Sequence, residues 1–265
     1  IKELTGIPYV ITDHDFGVIR DCETMPSRRE LFHAIKSDCA MTVTVANAME
    51  ADVRRLLPDV AVTTVHNGIH PHPEAIWRTP RPEDMAGRKV VLSACMFYER
   101  KGLPILIDAF SRVAPRHPEA ILRIIGDGEK RPAVEAAIAK CGAADRIELC
   151  GLQPRETVVQ EMAWADVFAL VGWDEPFATV FIEAMGAGTP IITCDDGGIN
   201  DVVEDGVHGR SIPPRDVEAA AAAIDDLLTH DQKREQMGRA AKAMVDQRLT
   251  WEANAKRMVG LFEDA

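Results

Sequence analysis

Val90-Val91-Leu92-Ser93-Ala94 and Ile121-Leu122-Arg123-Ile124-Ile125 are two short, nearly continuous apolar runs. Between them Leu106, Ala109, Phe110 and Val113 recur at helical spacing, the mark of an amphipathic helix. The alternation continues along the chain. Ile147-Glu148-Leu149, Val167-Phe168-Ala169-Leu170 and Pro190-Ile191-Ile192-Thr193 read as further strands. Val134, Ala137 and Ile138, then Val158, Val159 and Met162, then Phe181, Ala184 and Met185 mark the helices between them. Strands apolar on both faces need cover on both faces, and helical crossovers join parallel neighbours. The fold class is therefore α/β, with a doubly wound Rossmann-like domain whose ligands bind at the carboxyl ends of the strands.

Working outward, residues 7–12, Met41–Val45 and Val60–Val65 have the same strand character, with helical segments around 27–37 and 47–57. Three strands are few for a doubly wound domain, which holds about six. The chain opens at Ile1, close to the first of these runs, so residues 1–67 are expected to be the C-terminal part of a second Rossmann-like domain lacking its first part. Asn67-Gly68 and the prolines 71, 73, 80 and 82 make the stretch to Ala86 an interdomain connection. The complete domain is expected over 68–245. Helices are expected at 216–229, 231–248 and 252–263, and residues 246–265 return toward the first domain with Trp251 as a core anchor.

The chain has 265 residues and a formal net charge of −12. That balance argues against nucleic acid as the main partner, because phosphate-backbone binding needs clustered Lys and Arg. A small phosphorylated ligand needs only one or two local cations. Cys22, Cys39, Cys95, Cys141, Cys150 and Cys194 form no CxxC pair and read as thiols of a reducing compartment. No apolar stretch is long enough to cross a membrane, and no signal peptide is visible. A cytoplasmic protein is expected, with peripheral contact with a membrane surface left open and the oligomeric state undetermined.

The stretch Glu175-Pro-Phe-Ala-Thr-Val-Phe-Ile-Glu183-Ala-Met-Gly-Ala-Gly-Thr-Pro190 follows a strand and runs into a helix. Such a turn leaves the first helical N–H groups unpaired and adds the positive end of the helix dipole, so a diphosphate fits there. Glu183, about two turns in, has two oxygens for the hydroxyls of a ribose. Glu175, before the helix, reaches a second sugar beyond the phosphates. An ordinary surface loop with a solvated Glu183 has the same pattern.

Two glutamates seven residues apart, followed by Ala-Met-Gly-Ala-Gly-Thr-Pro-Ile-Ile, resemble the E-x7-E signature of the retaining glycosyltransferases of family 4, in the GT-B class with two facing Rossmann-like domains. Arg100-Lys101-Gly102, Ile125-Gly126-Asp127-Gly128, Gly197-Gly198 and Glu204-Asp205-Gly206-Val207-His208-Gly209 fall in that family's order, and the resemblance runs from Asp13 to Trp251. It implies that Lys101, assisted by Arg100, contacts the donor diphosphate. Gly126 and Gly128 would let the backbone approach the nucleotide, and residues from Gly151 to Pro154 would line the base. Phe177, Ala178, Thr179 and Val180 would give backbone contacts to phosphate and sugar, and Glu175 would touch the donor sugar. Met96 stands where the family often has arginine, and Ala178 where it usually has glycine.

Asp13-His14-Asp15 has the form of a metal-binding DxD, yet in this class Lys and helix dipoles neutralise phosphate. His14 is better read as facing the cleft near the reacting sugar, or else as a capping or core histidine. His66, His70 and His72 lack a fourth ligand at a suitable spacing for zinc. A nicotinamide dehydrogenase is disfavoured, since no G-x-G-x-x-G opens a helix after a strand. The expected reaction is transfer of a sugar from a nucleoside diphosphate sugar, carried on UDP or GDP, to a hydroxyl of a glycan, lipid or small molecule. By resemblance it is retaining, uses no metal or further cofactor, and relies on Glu175, His14 and Lys101. The rival is a truncated or non-catalytic module that binds the nucleotide sugar.

Overall fold

Two parallel sheets organise the chain, which the computed structural model describes over residues 6–73 and 79–263. Segment 74–78 of the expected connection lies outside the described residues. The first sheet holds β1 (Val10–Asp13), β2 (Met41–Thr44) and β3 (Val62–Thr64), in chain order across the sheet. Helices α1 (Phe16–Thr24) and α2 (Pro26–Ser37) cross from β1 to β2, and α3 (Asn47–Leu56) crosses from β2 to β3.

The second sheet holds β4 (Lys89–Ala94), β5 (Ala120–Ile125), β6 (Ile147–Gly151), β7 (Val167–Ala169), β8 (Ile191–Cys194) and β9 (Gly209–Ile212). Its spatial order is β6-β5-β4-β7-β8-β9, all parallel. The crossovers are α4 (Leu103–Val113), α5 (Arg131–Lys140), α6 (Arg155–Trp164) and α7 (Thr179–Gly186), and α8 (Val217–Thr229), α9 (Asp231–Arg248) and α10 (Trp251–Glu263) follow.

The apolar runs alternate between the two faces with the strand period of two. Val91, Leu122, Ile124, Val167, Ala169 and Ile192 join the core under α4 and α8. Leu92, Ile125, Phe168, Leu170 and Ile191 join the opposite core, with Phe181 of α7 and Val245 of α9. That second core continues without a break into Phe16, Ile19, Met49 and Val53 of α1 and α3, so one apolar layer ties the two sheets together.

The described residues add one strand to those expected. β9 runs beside β8 from Ile191↔Gly209 to Cys194↔Ile212. Its Gly-Arg-Ser-Ile sequence is not an apolar run because it lies at the sheet edge, where Arg210 turns outward to Asp205 and Asp226. Trp251 departs from its expected part as a core anchor, since it is 40% exposed. The polypeptide backbone makes the tie there instead: Trp251 N–H donates to Ile69 O, and Ile69 N–H donates to Leu249 O.

β4 and β7 are neighbours in space but not in sequence, so the winding direction reverses between them. A crevice opens outside the carboxyl ends of strands at such a switch point.

Candidate functional site

Residues 95–101 leave β4, and residues 170–178 leave β7, on the two sides of that switch point. Between them lies a cavity of about 310 Å³. Arg100, Lys101 and Glu175 line it, together with Phe177, Ala178, Thr179 and Val180 at the start of α7, while His14 and Asp15 close it from the first sheet. Ala178 is the N-cap of α7 and no side chain caps that end, so its first N–H groups are available to a ligand.

Glu175 is the centre of the site. Its side chain is 4% exposed, and two cations converge on it. Lys101 Nζ donates to Oε2 at 2.9 Å and lies 2.8 Å from Oε1, and Arg100 Nη1 lies 2.9 Å from Oε1. Both carboxylate oxygens of Glu175 therefore lie within 2.9 Å of a cationic nitrogen. The carbonyl of Glu175 accepts from Gly198 N–H at 2.8 Å, which fixes the loop from the β8 side.

The remaining expected site residues lie around this cavity or beyond it. His14 is exposed at its rim, and Asp15 caps α1 by accepting from Gly17 N–H at 2.6 Å. Asp13 is paired with the buried Lys36 at 2.5 Å, so the three residues Asp13-His14-Asp15 have separate tasks. Glu183 lies outside the cavity lining; its Oε1 is 3.2 Å from Arg155 Nη2, and His72 Nε2 donates to its carbonyl at 3.1 Å.

Gly126 and Gly128 are set against the 95–97 loop rather than along the cavity. A Cβ at Gly126 (φ 133°) would sit 1.9 Å from Cys95 O. The close approach the glycine permits is therefore between neighbouring loops of the protein. Gly151 accepts from Gly126 N–H at 2.8 Å. His66, His70 and His72 do not converge, and no group of three metal-ligating side chains occurs among the described residues.

Some features of the site carry no motif. Cys95 lines the cavity, and burial pushes its thiol up to about 12. At the mouth, Arg20 of α1 reaches across to Asp174 at 3.0 Å. The hydrogen bond from Arg20 holds that carboxyl below its ordinary range, whereas burial pushes the nearby Asp196 carboxyl up. Asp174 has φ 55°, a left-handed backbone adopted in the turn just before Glu175. Only folding brings Arg20 and residue 174 together, so a linear reading has no signal for the pair.

The model of the family described as "Glycosyl transferases group 1" matches residues 77–244, more than half of the chain. This chain belongs to the glycosyl transferases group 1 family. Among relatives in sequence, an uncharacterized glycosyltransferase of Methanocaldococcus jannaschii is 26% identical across 100% of this chain and 71% of its own length. A GDP-mannose-dependent alpha-(1-6)-phosphatidylinositol monomannoside mannosyltransferase of Mycolicibacterium smegmatis is 28% identical over 72% of this chain. The match takes in 52% of that mannosyltransferase, and the chain likewise spans about half the length of other curated relatives it matches.

Solved structures share the fold. Anabaena Alr3699/HepE in complex with UDP superposes with a TM-score of 0.88 at 19% identity, over 100% of this chain and 74% of that one. Sucrose-phosphate synthase from Thermosynechococcus elongatus gives 0.81 at 24% identity, over 96% and 67%. The α/β architecture is that of GT-B glycosyltransferases. No helix among the described residues is long and apolar enough to cross a membrane.

Proposed function

We propose that the cavity between the two sheets binds a nucleoside diphosphate sugar and that the chain transfers the sugar to a hydroxyl acceptor, as a retaining family 4 enzyme that works without a metal. On this reading residues 68–245 are the donor side, residues 1–67 belong to the acceptor side, and the helix after 246 links them. Lys101, Arg100 and the first N–H groups of α7 take the diphosphate. Glu175 holds the donor sugar, Glu183 the ribose, and His14 faces the reacting sugar from the acceptor side. Negative charge accumulates on the departing diphosphate, where fixed cations and helix N–H groups stabilise it with little rearrangement. UDP and GDP are the preferred nucleotides; this rests on the UDP complex of a structural neighbour and the GDP-mannose dependence of a relative.

The observation that carries this reading is the convergence of Lys101 and Arg100 on the buried Glu175, beside the uncapped start of α7. Glu175 lines the cavity, where its carboxylate oxygens can accept from a sugar hydroxyl. The Lys101 and Arg100 charges beside it then suit a diphosphate on the α7 side. The test is calorimetric titration of UDP- and GDP-sugars into the wild type, Lys101→Ala and Glu183→Ala. Each lost charge-assisted bond is worth about 1.5–3 kcal/mol, so each variant is expected to bind about 10- to 100-fold more weakly. Unchanged affinity in both removes the reading. A first sheet of three strands beside one of six keeps a second reading in view, a module that binds donor without turnover. Tight donor binding with no sugar transfer to any hydroxyl acceptor selects it.

A further inference from the structure

Phe177 lines the donor cavity, and its ring is 3% exposed. The surface under that ring is not supplied by the second sheet. It is the imidazole of His66, three residues before Ile69 in the connection from the first sheet, stacked at 5.1 Å between centroids with 23° between the planes. The His66 side chain is 13% exposed, and its Nε2 lies 3.2 Å from Asp201 Oδ2. The same Asp201 oxygen accepts from Asn47 N–H, the first residue of α3, at 2.7 Å. The His66 carbonyl accepts from Asn254 Nδ2 of α10 at 2.9 Å.

These contacts close a ring around the loop that carries Glu175. Asp201 ends the short turn Gly198–Asp201, and the first residue of that turn donates its N–H to Glu175 O. Gly198 also packs so tightly that a Cβ there would sit 1.7 Å from Pro176 O. Starting at Glu175, the contacts therefore run through Gly198 to Asp201, across to His66, and by the ring stack back to Phe177. His66 is the one member of this ring that comes from the connection between the sheets.

We infer that His66 is a positioning residue of the donor site: by stacking on Phe177 while anchored on Asp201, it sets the loop 175–178 and the first N–H groups of α7 that receive the diphosphate. The role rests on the donor reading above, and it gives the connection between the sheets a direct hold on donor affinity. His66 is not among the residues that line the cavity, so its loss acts through the loop.

The test has two arms on the full chain. In the first, backbone hydrogen exchange across 176–181 is measured without ligand for the wild type, His66→Ala and His66→Phe. His66→Ala is expected to speed exchange there about three- to tenfold, the worth of one aromatic pair. Exchange in β4 and β5 should stay unchanged. His66→Phe keeps the ring stack and is expected to recover most of the protection. Unchanged exchange in His66→Ala, or a His66→Phe variant no better than His66→Ala, overturns the inference.

The second arm titrates UDP, GDP and ADP into the same proteins and into the Phe177→Leu background. A weakening by His66→Ala that vanishes in Phe177→Leu supports action through the stack, while an equal weakening in both backgrounds overturns it. A wild type that binds none of the three nucleotides refutes the donor reading, and the exchange arm then still decides whether His66 holds the loop.

Discussion

Replacing Lys101 by Met leaves Glu175 with a single, more solvated cation. Its carboxylate is 4% exposed and Lys101 is 12% exposed, and the ammonium lies within 2.9 Å of both oxygens. Breaking a buried ion pair by removing one partner costs about 3–5 kcal/mol, mostly because the remaining charge is left uncompensated. Arg100 stays 2.9 Å from Oε1, but its side chain is 37% exposed and screened by water. The expected loss is therefore at the lower end, about 3 kcal/mol. In a chain of this size that corresponds to a fall of about 5–10 °C in Tm.

Urea unfolding followed by circular dichroism measures the loss, and Glu175→Gln added to Lys101→Met provides the control. Neutralising the carboxylate removes the uncompensated charge, so the double variant should regain stability, with a coupling of about 2 kcal/mol between the two sites. A Lys101→Met protein within about 0.5 kcal/mol of the wild type, the range of ordinary surface substitutions, refutes the reasoning. So does a double variant whose losses simply add.

Three further outcomes follow from the same physics. Lys36 is 1% exposed and paired with Asp13 at 2.5 Å, so Lys36→Met should destabilise by about 3–5 kcal/mol, and Asp13→Asn in the same chain should restore much of it, both read by urea unfolding. Gly198→Ala places a methyl group 1.7 Å from Pro176 O and 2.6 Å from Ala46 Cβ. It should cost about 1–3 kcal/mol, and a thermal melt matching the wild type contradicts the packing. Burial raises the thiols of Cys95 and Cys194 from 9.0 to about 12. Between those values the unfolded chain has lost thiol protons that the native chain keeps, so this contribution to stability is complete below pH 9 and is lost as pH rises toward 12. Alkylation at pH 9.5 with mass spectrometry should leave the buried Cys194 unmodified in the native chain, and its rapid labelling contradicts that burial.

The main architecture was legible because β4, β5, β7 and β8 are buried on both faces. Burial of that kind demands runs such as Val90–Ala94, whatever the rest of the chain does. β9 escaped because an edge strand has less apolar surface to hide, and Arg210 can serve it as well as valine. Glu175 and the start of α7 were visible as local patterns, since a loop entering a helix needs no distant partner to expose its N–H groups, whereas Lys101 was singled out only by the family resemblance.

Their association was not visible. Lys101 and Glu175 are 74 residues apart, and the switch between β4 and β7 decides that they meet. Gly126 illustrates the boundary: its sequence context announces a close backbone approach, but only the packed loops show that Cys95 is what approaches. His66 is a plainer case, since nothing in His-Asn-Gly distinguishes a metal ligand, a hinge residue and a ring stacked under Phe177. The sequence by itself determined which segments become strands and helices, because periodic burial is written into each segment. Which charges share a cavity, and which ring supports which loop, was decided only by the tertiary structure, because those free energies depend on distances that no single segment controls.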